Sequence, residues 1–272
     1  MMVRELGIPT SVLDGGLDEA YVEALARQVR DSSLDAAVLL AQDLPHADDG
    51  TPLPEVGGFR VPNQYLFEVV ERHPDLFLPA ASIHPGRADA LDELDECLAR
   101  GARVLKLLPN CLNIDCSDPR FRPFWSRMAD GGMILLAHTG GEYTLPVLRP
   151  EFADPARLRL PLECGVTVIA AHCAGRSGLF DPDYTAGLVE LFREFPHCYG
   201  DNSALCSLNR ARTIRPILRG EVLPRIIHGS DYPVPVMGSG PLLHGHLDWD
   251  DYGRCRGIRN LIERDYHCLL YT

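Results

Sequence analysis

The chain has 272 residues, of which 46% are hydrophobic and 24% are charged, and this composition is typical of a soluble globular protein with a substantial core. Its formal net charge of -12 argues against nucleic acid or an anionic membrane as the main partner. The nine cysteines form no CxxC pair, no apolar stretch reaches the length of a membrane span, and the N-terminus lacks the apolar segment of a signal peptide. We therefore expect a cytoplasmic protein with reduced thiols.

Apolar strands alternate with amphipathic helices along most of the chain. The first predicted element is a helix over residues 18–31, with Asp18 and Glu19 in its first turn, where the helix dipole favours acidic residues. The predicted strands cover residues 36–41, 76–83, 103–108, 133–138, 166–172, 197–202 and 226–227. The further predicted helices cover residues 62–72, 88–100, 119–130, 155–164, 183–195, 209–219 and 254–264. We find no linker that would separate two domains.

This alternation predicts a parallel sheet with helices packed on its outer side. A closed (β/α)8 barrel has eight strands, whereas seven are predicted here and the first element is a helix. We therefore predict a single α/β domain over residues 1–272, a TIM-type (β/α)8 barrel that lacks its first strand. An open doubly wound sheet is the alternative, but the glycine-rich phosphate loop of such sheets is missing after the first strand. In the barrel, the gap between the two edge strands would lower stability or favour association into a homo-oligomer.

Three of the predicted strands end beside residues of the types that bind metal ions. The segments read MILLAHTG with His138, VTVIAAHCAG with His172 and RIIHGSDYPVP with Asp231. In a parallel barrel the C-terminal strand ends gather at one face, where catalytic side chains lie. Neutral imidazoles and a carboxylate suit Zn²⁺ and related divalent ions, and a catalytic site keeps one position open for water. Each histidine alone could be a hydrogen-bonded core residue, but three matched positions favour a metal site.

Other candidate residues lie around the same barrel face. Lys106 lies within the predicted strand RVLKLL, so its side chain should point into the barrel or towards its mouth. Burial would let it act as a base or a modified ligand; alternatively, it reaches the barrel end and pairs with a carboxylate. His84 would either contact substrate or cap a loop. Glu142, Tyr143 and Arg176 lie on loops over the same face, and Arg176 would bind a substrate carboxylate or be a solvated surface arginine.

Two further pairs of residues have both a functional and an ordinary explanation. Asp201 and Asn202 end a predicted strand, where they would orient a metal-binding histidine or simply form a turn. His244 and His246 form an HxH pair, and two histidines at this spacing share one face of a strand. No strand pattern surrounds them, so we interpret this segment as a loop rather than a metal site.

At these residues the chain resembles the amidohydrolase superfamily, in its amidohydrolase-related branch of metal-dependent hydrolases and decarboxylases. The resemblance extends from the strand AAVLLA to the segment RNLIERDY, and its most specific motifs are LLAHTG, VIAAHCAG and GSDYP in that order. It implies that His138 and Asp231 bind a divalent metal ion, with zinc the first candidate and manganese or another ion the alternative. It also implies that His172 joins these ligands or polarises the substrate. Lys106 occupies the strand on which some superfamily members carry a carboxylated lysine that bridges two metal ions.

The chain departs from the family pattern at both ends. The family's first strand carries an HxH pair that supplies two further ligands, whereas no histidine precedes Asp18 here. The chain also ends soon after RNLIERDY, where family members usually continue with another helix. We therefore expect a chain that is truncated at both ends.

The resemblance implies a metal-dependent hydrolase of a small-molecule substrate with a C–N or ester-type bond. The metal would activate water, Asp231 would bind the metal and shuttle the proton, and His172 would polarise the scissile carbonyl. A decarboxylase on the same ligands is the nearest alternative, and a non-catalytic barrel remnant or binding protein is the alternative from another class. The candidate catalytic residues are Asp231, His172 and Lys106, the candidate substrate-binding residues are His84, Arg176 and Glu142, and the candidate metal ligands are His138, His172 and Asp231.

Overall fold

Seven parallel strands form a single sheet in the computed structural model, which describes residues 6–56 and 58–270. Every strand pairs with the strand that precedes it in the chain, so the spatial order of the strands is their sequence order. The strands are β1 (Ala37–Leu40), β2 (Phe77–Ala81), β3 (Val104–Leu107), β4 (Ile134–His138), β5 (Val168–Ala171), β6 (Cys198–Asp201) and β7 (Ile226–Ile227). All seven predicted strands are confirmed, and β1 and β7 are the two edges of the sheet.

The described part of the chain contains eleven α-helices, of which the first precedes the strands and the others connect or follow them. They are α1 (Leu17–Arg30), α2 (Asn63–Arg72), α3 (Ala90–Ala99), α4 (Pro109–Leu112), α5 (Arg122–Asp130), α6 (Arg159–Glu163), α7 (Thr185–Glu194), α8 (Ile214–Ile217), α9 (Ser239–Leu243), α10 (Trp249–Gly257) and α11 (Leu261–Leu270). Short 3-10 helices cover Thr10–Val12, Pro119–Phe121, Pro150–Ala153, Pro155–Leu158, His172–Ala174, Arg210–Thr213 and Leu223–Arg225. Among the described residues, no helix is both long and apolar enough to cross a membrane.

The predicted single helix over residues 254–264 is wrong, because the chain forms two helices there, α10 and α11. Ile258 leaves the first helix in an extended conformation, with φ -76° and ψ 118°. The Asn260 side chain then accepts hydrogen bonds of 3.0 and 3.1 Å from two backbone N–H groups at the start of α11. Asn260 is therefore a helix N-cap, and it starts a new helix rather than continuing the previous one.

Side chains of the strands alternate between an outer face that packs against the helices and an inner face that lines the barrel. In β3, Leu105 and Leu107 are fully buried in the main hydrophobic core together with Trp125 of α5. Lys106 lies between these two leucines and therefore points to the opposite, inner face. The apolar outer face of β3 thus determines which way the lysine side chain points.

The barrel is open between β1 and β7, which do not pair with each other in the part of the chain that the structure describes. On these edge strands the apolar side chains of Val38, Leu40 and Ile227 are 44%, 40% and 41% exposed. Outside the gap, α1 and α11 meet, and the Gln28 carbonyl accepts a 2.6 Å hydrogen bond from the Asn260 side chain. The fold is therefore a seven-stranded α/β barrel with one open side, as predicted. Truncation of the chain and association into a homo-oligomer stay predictions.

Candidate active site

The predicted site residues lie on neighbouring strands of the barrel. Lys106 lies in β3, His138 ends β4, His172 directly follows β5, Asp201 ends β6, and Asp231 lies in the loop after β7. Because parallel strands end at the same side of a barrel, these residues share its C-terminal face. The fold thus brings together side chains that are far apart in the sequence.

His138 and His172 form a buried pair of rings whose centroids are 5.0 Å apart. The two residues are only 2% and 3% exposed. Burial, reinforced by the charge of Lys106, lowers the pKa of His138 to about 3. Burial and the charge of Arg210 lower the pKa of His172 well below its ordinary value. Both imidazoles are therefore neutral near neutral pH, which is the state in which histidine binds metal ions.

Hydrogen bonds around His172 determine which of its ring nitrogens is free. Its backbone N–H donates to Asp201 Oδ1 at 2.8 Å, and the Ser203 hydroxyl donates to the same oxygen. The ring Nδ1 lies 3.1 Å from the Ser203 carbonyl oxygen and 2.8 Å from the Ser203 hydroxyl oxygen. Since the carbonyl can only accept and the hydroxyl proton is used on Asp201, Nδ1 must carry the proton. The lone pair of Nε2 is therefore available to a metal ion or a substrate.

The turn after β5 holds His172 in an uncommon backbone conformation. His172, Cys173 and Ala174 have φ angles of 60°, 50° and 56°, in the left-handed region that residues other than glycine rarely adopt. The loop after β4 packs closely against this turn, because a Cβ at Gly140 would clash with the Gly175 carbonyl oxygen. The packing of the two loops stabilises an otherwise unfavourable turn and keeps the two histidines next to each other.

The free ring nitrogen of His138 is Nε2, which is buried and has no hydrogen-bond partner among the described residues. Its Nδ1 lies 3.7 Å from Glu142 Oε2. The other Glu142 oxygen accepts hydrogen bonds from Thr144 and, at 3.2 Å, from the Leu145 N–H. Burial acts to raise the pKa of Glu142, but His138 and Thr144 outweigh it and lower the pKa. A buried nitrogen without a partner costs about 1–3 kcal/mol, and a metal ion would offset this cost.

Lys106 and Asp231 act on each other's protonation inside the barrel. Burial lowers the pKa of Lys106, whereas the carboxylates of Asp231, Asp201 and Glu142 act to raise it. Asp231 is exposed at the barrel mouth, yet protein atoms surround its carboxyl. This desolvation raises its pKa to about 6, although Lys106 acts in the opposite direction. Asp231 can therefore exchange a proton near neutral pH.

Sequence reasoning missed Arg210, a buried arginine whose charge acts on both His172 and Asp231. It begins the 3-10 helix after β6 and is 6% exposed. Its Nη2 donates a 2.6 Å hydrogen bond to the Gly141 carbonyl, whereas its Nη1 is buried without a partner among the described residues. Arg210 lies at the start of the predicted helix over residues 209–219, where an arginine is typically exposed, so only its burial in the folded chain marks it as a site residue.

Arg176, the predicted carboxylate-binding residue, is paired within its own loop. Its side chain is 38% exposed, and its Nε lies 3.7 Å from the carboxylate of Asp183. Tyr143 is also exposed, and its hydroxyl donates to Asp181 at 2.7 Å. The Tyr143 hydroxyl thus fastens the loop after β5, whereas the contact of Arg176 is an ion pair without a hydrogen bond among the described residues. Arg210 is the arginine whose charge acts on both histidines of the pair.

His84 is buried, and backbone groups occupy both of its ring nitrogens. Its Nδ1 accepts from the Gly86 N–H at 3.0 Å, and its Nε2 lies 3.1 Å from the Leu112 carbonyl oxygen. These bonds match the loop-capping role rather than contact with a substrate. His244 and His246 follow α9 in a segment without strand or helix, as predicted.

The donor atoms of His138, His172 and Asp231 fit a divalent ion such as zinc or manganese. The two neutral imidazoles have free Nε2 atoms, and the carboxylate lies at the same face of the barrel. Within residues 6–56 and 58–270, however, no group of three or more His, Cys, Asp or Glu side chains is placed so that it could hold a metal ion. The three residues therefore do not form a complete metal site as they stand, and metal binding by them stays a prediction.

Three solved structures resemble this chain, and the first of them, with a TM-score above 0.5, has a similar fold. A protein from Pseudomonas putida that is proposed to be a 2-pyrone-4,6-dicarboxylic acid hydrolase matches with a TM-score of 0.56 at 14% identity, over 92% of this chain and 87% of that chain. A 2,6-dihydroxybenzoate decarboxylase from Rhizobium matches with a TM-score of 0.45 at 15% identity, over 75% of this chain and 76% of that chain. A manganese-bound 5-carboxyvanillate decarboxylase from Novosphingobium aromaticivorans matches with a TM-score of 0.49 at 11% identity, over 88% of this chain and 76% of that chain. No curated protein matches the chain.

A comparison with protein families gives a match that spans most of the sequence. The family model described as amidohydrolase matches residues 12–252. This range contains all seven strands and every predicted site residue. The chain therefore belongs to the amidohydrolase family.

Proposed function

We propose that the chain is a metal-dependent hydrolase of a small organic acid and that it cleaves a C–N or ester-type bond. The observation that carries this proposal is the cluster of His138, His172, Lys106, Asp231 and Arg210 at the C-terminal face of the barrel. The charges of Lys106 and Arg210 act there on the two neutral imidazoles and on the carboxyl of Asp231, whose pKa is about 6. Such a set can supply metal ligands, a proton acceptor and a site for an anion in one place.

The metal ion, with zinc the first candidate and manganese the alternative, would be held by His138, His172 and Asp231. When bound, a metal ion of this kind lowers the pKa of water and polarises the substrate oxygen. The contribution of the chain is to present unprotonated ring nitrogens. Ser203 holds the proton of the His172 ring at Nδ1, and burial keeps both rings neutral.

Asp231 is the residue that would accept and return a proton. Without a bound metal ion, burial raises the pKa of its carboxyl to about 6, close to neutral pH, where a carboxylate can accept and release a proton. The positive charge of Lys106 acts to lower the pKa of Asp231, because it stabilises the ionised carboxylate. We propose that the same charge stabilises the negative oxygen that develops on the substrate.

Arg210 supports an organic acid as the substrate class. Its Nη2 is engaged with the Gly141 carbonyl, but its Nη1 is buried without a partner among the described residues. A substrate carboxylate would provide that partner, and such charge-assisted hydrogen bonds are about twice as strong as neutral ones. The proposed activity of the Pseudomonas putida neighbour on a dicarboxylic acid agrees with this class.

A decarboxylase is the second candidate, and the same arginine favours it. The Arg210 guanidinium would hold either a carboxylate that the substrate keeps or one that leaves as CO₂. In the second case, Asp231 would hold the proton that replaces the lost carboxylate on carbon.

A substrate screen tests the proposal. The purified chain is supplied with zinc or manganese and tested on carboxylate-bearing esters, lactones and amides and on their neutral analogues, with hydrolysis and CO₂ release both recorded. We expect hydrolysis of a carboxylate-bearing compound that is lost in His138→Ala and kept in the matched control His244→Ala. CO₂ release without hydrolysis would favour the decarboxylase. If the chain binds neither supplied ion and turns over none of the compounds, the result would favour a non-catalytic barrel.

A further inference from the structure

A cavity of about 430 Å³ lies between the loops that follow the first four strands, at the same face of the barrel as the histidine pair. None of the proposed metal ligands His138, His172 and Asp231 lines it. The side chains that the following argument uses are Asp48 and Asp49 after β1, Asn113 and Phe121 after β3, and Arg149 and Phe152 after β4. The cavity is therefore a feature of its own, beside the proposed active site.

Backbone contacts form one wall of this cavity. The Gly50 N–H donates a 2.9 Å hydrogen bond to the Ala47 carbonyl, and the Ala47 N–H donates a 2.8 Å hydrogen bond to the Thr51 carbonyl, which closes a tight turn in the loop after β1. Gly50 has a φ of 85°, and a Cβ there would lie 2.5 Å from the Gly86 carbonyl oxygen, so only glycine allows this approach. The loop after β1 thus rests on the loop after β2, as in the largely preformed pockets that bind small molecules.

Asn113 joins three of the loops that enclose the cavity. Its backbone, directly after α4, has the left-handed conformation with φ 61° and ψ 45°, which asparagine tolerates better than most residues. Its Nδ2 donates hydrogen bonds to the His46 carbonyl at 2.9 Å and to Asp48 Oδ1 at 3.1 Å. Its Oδ1 accepts a 3.3 Å hydrogen bond from Arg149 Nε. One amide group therefore holds a carboxylate at one end and a guanidinium at the other.

The charges that Asn113 holds apart have no ionic partner in the described part of the chain. Apart from its contact with Asn113, the Arg149 guanidinium forms no hydrogen bond or ion pair with a described residue. The Asp48 carboxylate accepts only from the Asn113 amide, and the Asp49 carboxylate accepts from Thr51, with a distance of 2.9 Å to its backbone nitrogen. A guanidinium and two carboxylates thus face one cavity without neutralising one another.

The other charged side chains of the cavity are already paired. Asp118 forms a 2.8 Å ion pair with Arg120, and Asp115 forms a 2.8 Å ion pair with Arg157. These carboxylates need no further cation. The groups left for a ligand are therefore one positive and two negative, on opposite sides of the Asn113 amide.

We propose that this cavity binds an α-amino acid with an apolar side chain, its carboxylate on Arg149 and its ammonium on Asp48 and Asp49. A ligand of a single charge would neutralise only one side of the cavity, whereas a carboxylate and an ammonium that one carbon separates match both sides. Charge-assisted hydrogen bonds of this kind are about twice as strong as neutral ones. The rings of Phe121 and Phe152 line the same cavity and offer an apolar surface to the ligand side chain.

Isothermal titration calorimetry of the full chain tests the proposal. The probes are L-phenylalanine and L-leucine, together with 3-phenylpropionate, which lacks the ammonium, and phenethylamine, which lacks the carboxylate. We expect saturable binding of an amino acid at one site per chain, and binding at least about tenfold weaker for both analogues of L-phenylalanine. No saturable binding of either amino acid, or equal binding of L-phenylalanine and one of its analogues, would overturn the proposal. The measurement needs no turnover, so its outcome is independent of the proposed hydrolysis.

Substitutions locate the bound amino acid. Arg149→Met and Asp48→Asn should each weaken binding at least about tenfold, because each removes one charge from the cavity. Asn113→Gly keeps the left-handed backbone but removes the amide, and it should also weaken binding. Arg122→Met, at an exposed arginine outside the cavity, is the matched control and should bind as the wild type does. Binding that is lost in Arg210→Met and kept in Arg149→Met would place the amino acid at the histidine pair and overturn the proposal.

Discussion

Replacing Asp265 by Asn should change how the stability of the protein depends on pH. Asp265 is 1% exposed, and neither carboxyl oxygen has a hydrogen-bond partner among the described residues. Burial therefore raises its pKa well above the ordinary value. The folded protein keeps this carboxyl protonated at a pH where the unfolded chain, with a pKa of about 3.9, has already ionised it.

The direction of the effect follows from which state binds the proton more tightly. When folding raises the pKa of a carboxyl, its contribution to stability is present below the unfolded pKa and is lost as pH rises towards the folded pKa. The loss in that range is about 1.4 kcal/mol per pH unit. From about pH 5 upwards, and until the pH reaches the folded pKa, the wild type should therefore lose up to about 1.4 kcal/mol per pH unit relative to Asp265→Asn, whose amide does not titrate.

Urea unfolding at two pH values in this range measures the difference. The free energies are compared between wild type and variant at each pH, because the buried histidines titrate in both proteins and cancel in the difference. Asp14→Asn, at an exposed loop position, is the matched control and should keep the wild-type pH dependence. If Asp265→Asn and the wild type change in stability by the same amount between the two pH values, the buried carboxyl is ionised in the folded protein and the reasoning is refuted.

Three further substitutions test the core, the support of the histidine pair and the buried arginine. Trp125→Ala should lower the free energy of unfolding by about 3–5 kcal/mol in urea, because this side chain is fully buried; a loss below about 1 kcal/mol would contradict the packing. Ser203→Ala should weaken zinc affinity about 10- to 100-fold in a chelator competition, because the His172 ring loses a hydrogen bond; unchanged affinity would count against this support. Arg210→Met should change the unfolding free energy by less than about 1.5 kcal/mol, because it removes a buried charge together with one hydrogen bond; a larger loss would mean that the arginine serves stability.

The strands and the positions of the histidines could be predicted because their signals are local. An apolar run followed by histidine and glycine, repeated on two strands, shows both where the strand ends and which side of the barrel its last residue faces. Lys106 was predicted to face inward for the same reason, since Leu105 and Leu107 on either side of it are apolar.

Features that depend on distant parts of the chain could not be predicted. Arg210 becomes a site residue because the folded chain buries it and the Gly141 carbonyl, on a different loop, accepts its hydrogen bond. The pairing of Arg176 with Asp183 depends on the conformation of their loop, which no periodic pattern specifies. The helix break at Asn260 was missed because asparagine can lie inside a helix as well as cap one, and here the packing of α11 against α1 favours the cap.

The metal content of the purified protein and its variants tests most directly whether the histidine pair and Asp231 form a metal centre. Zinc and manganese are measured by elemental analysis in the wild type, in His138→Ala, in Asp231→Ala and in the control His244→Ala, each after exposure to both ions and removal of the excess. We expect stoichiometric metal in the wild type and in His244→Ala, and its loss in the other two variants. A wild type without bound metal, or metal retained by both His138→Ala and Asp231→Ala, would contradict the proposed centre.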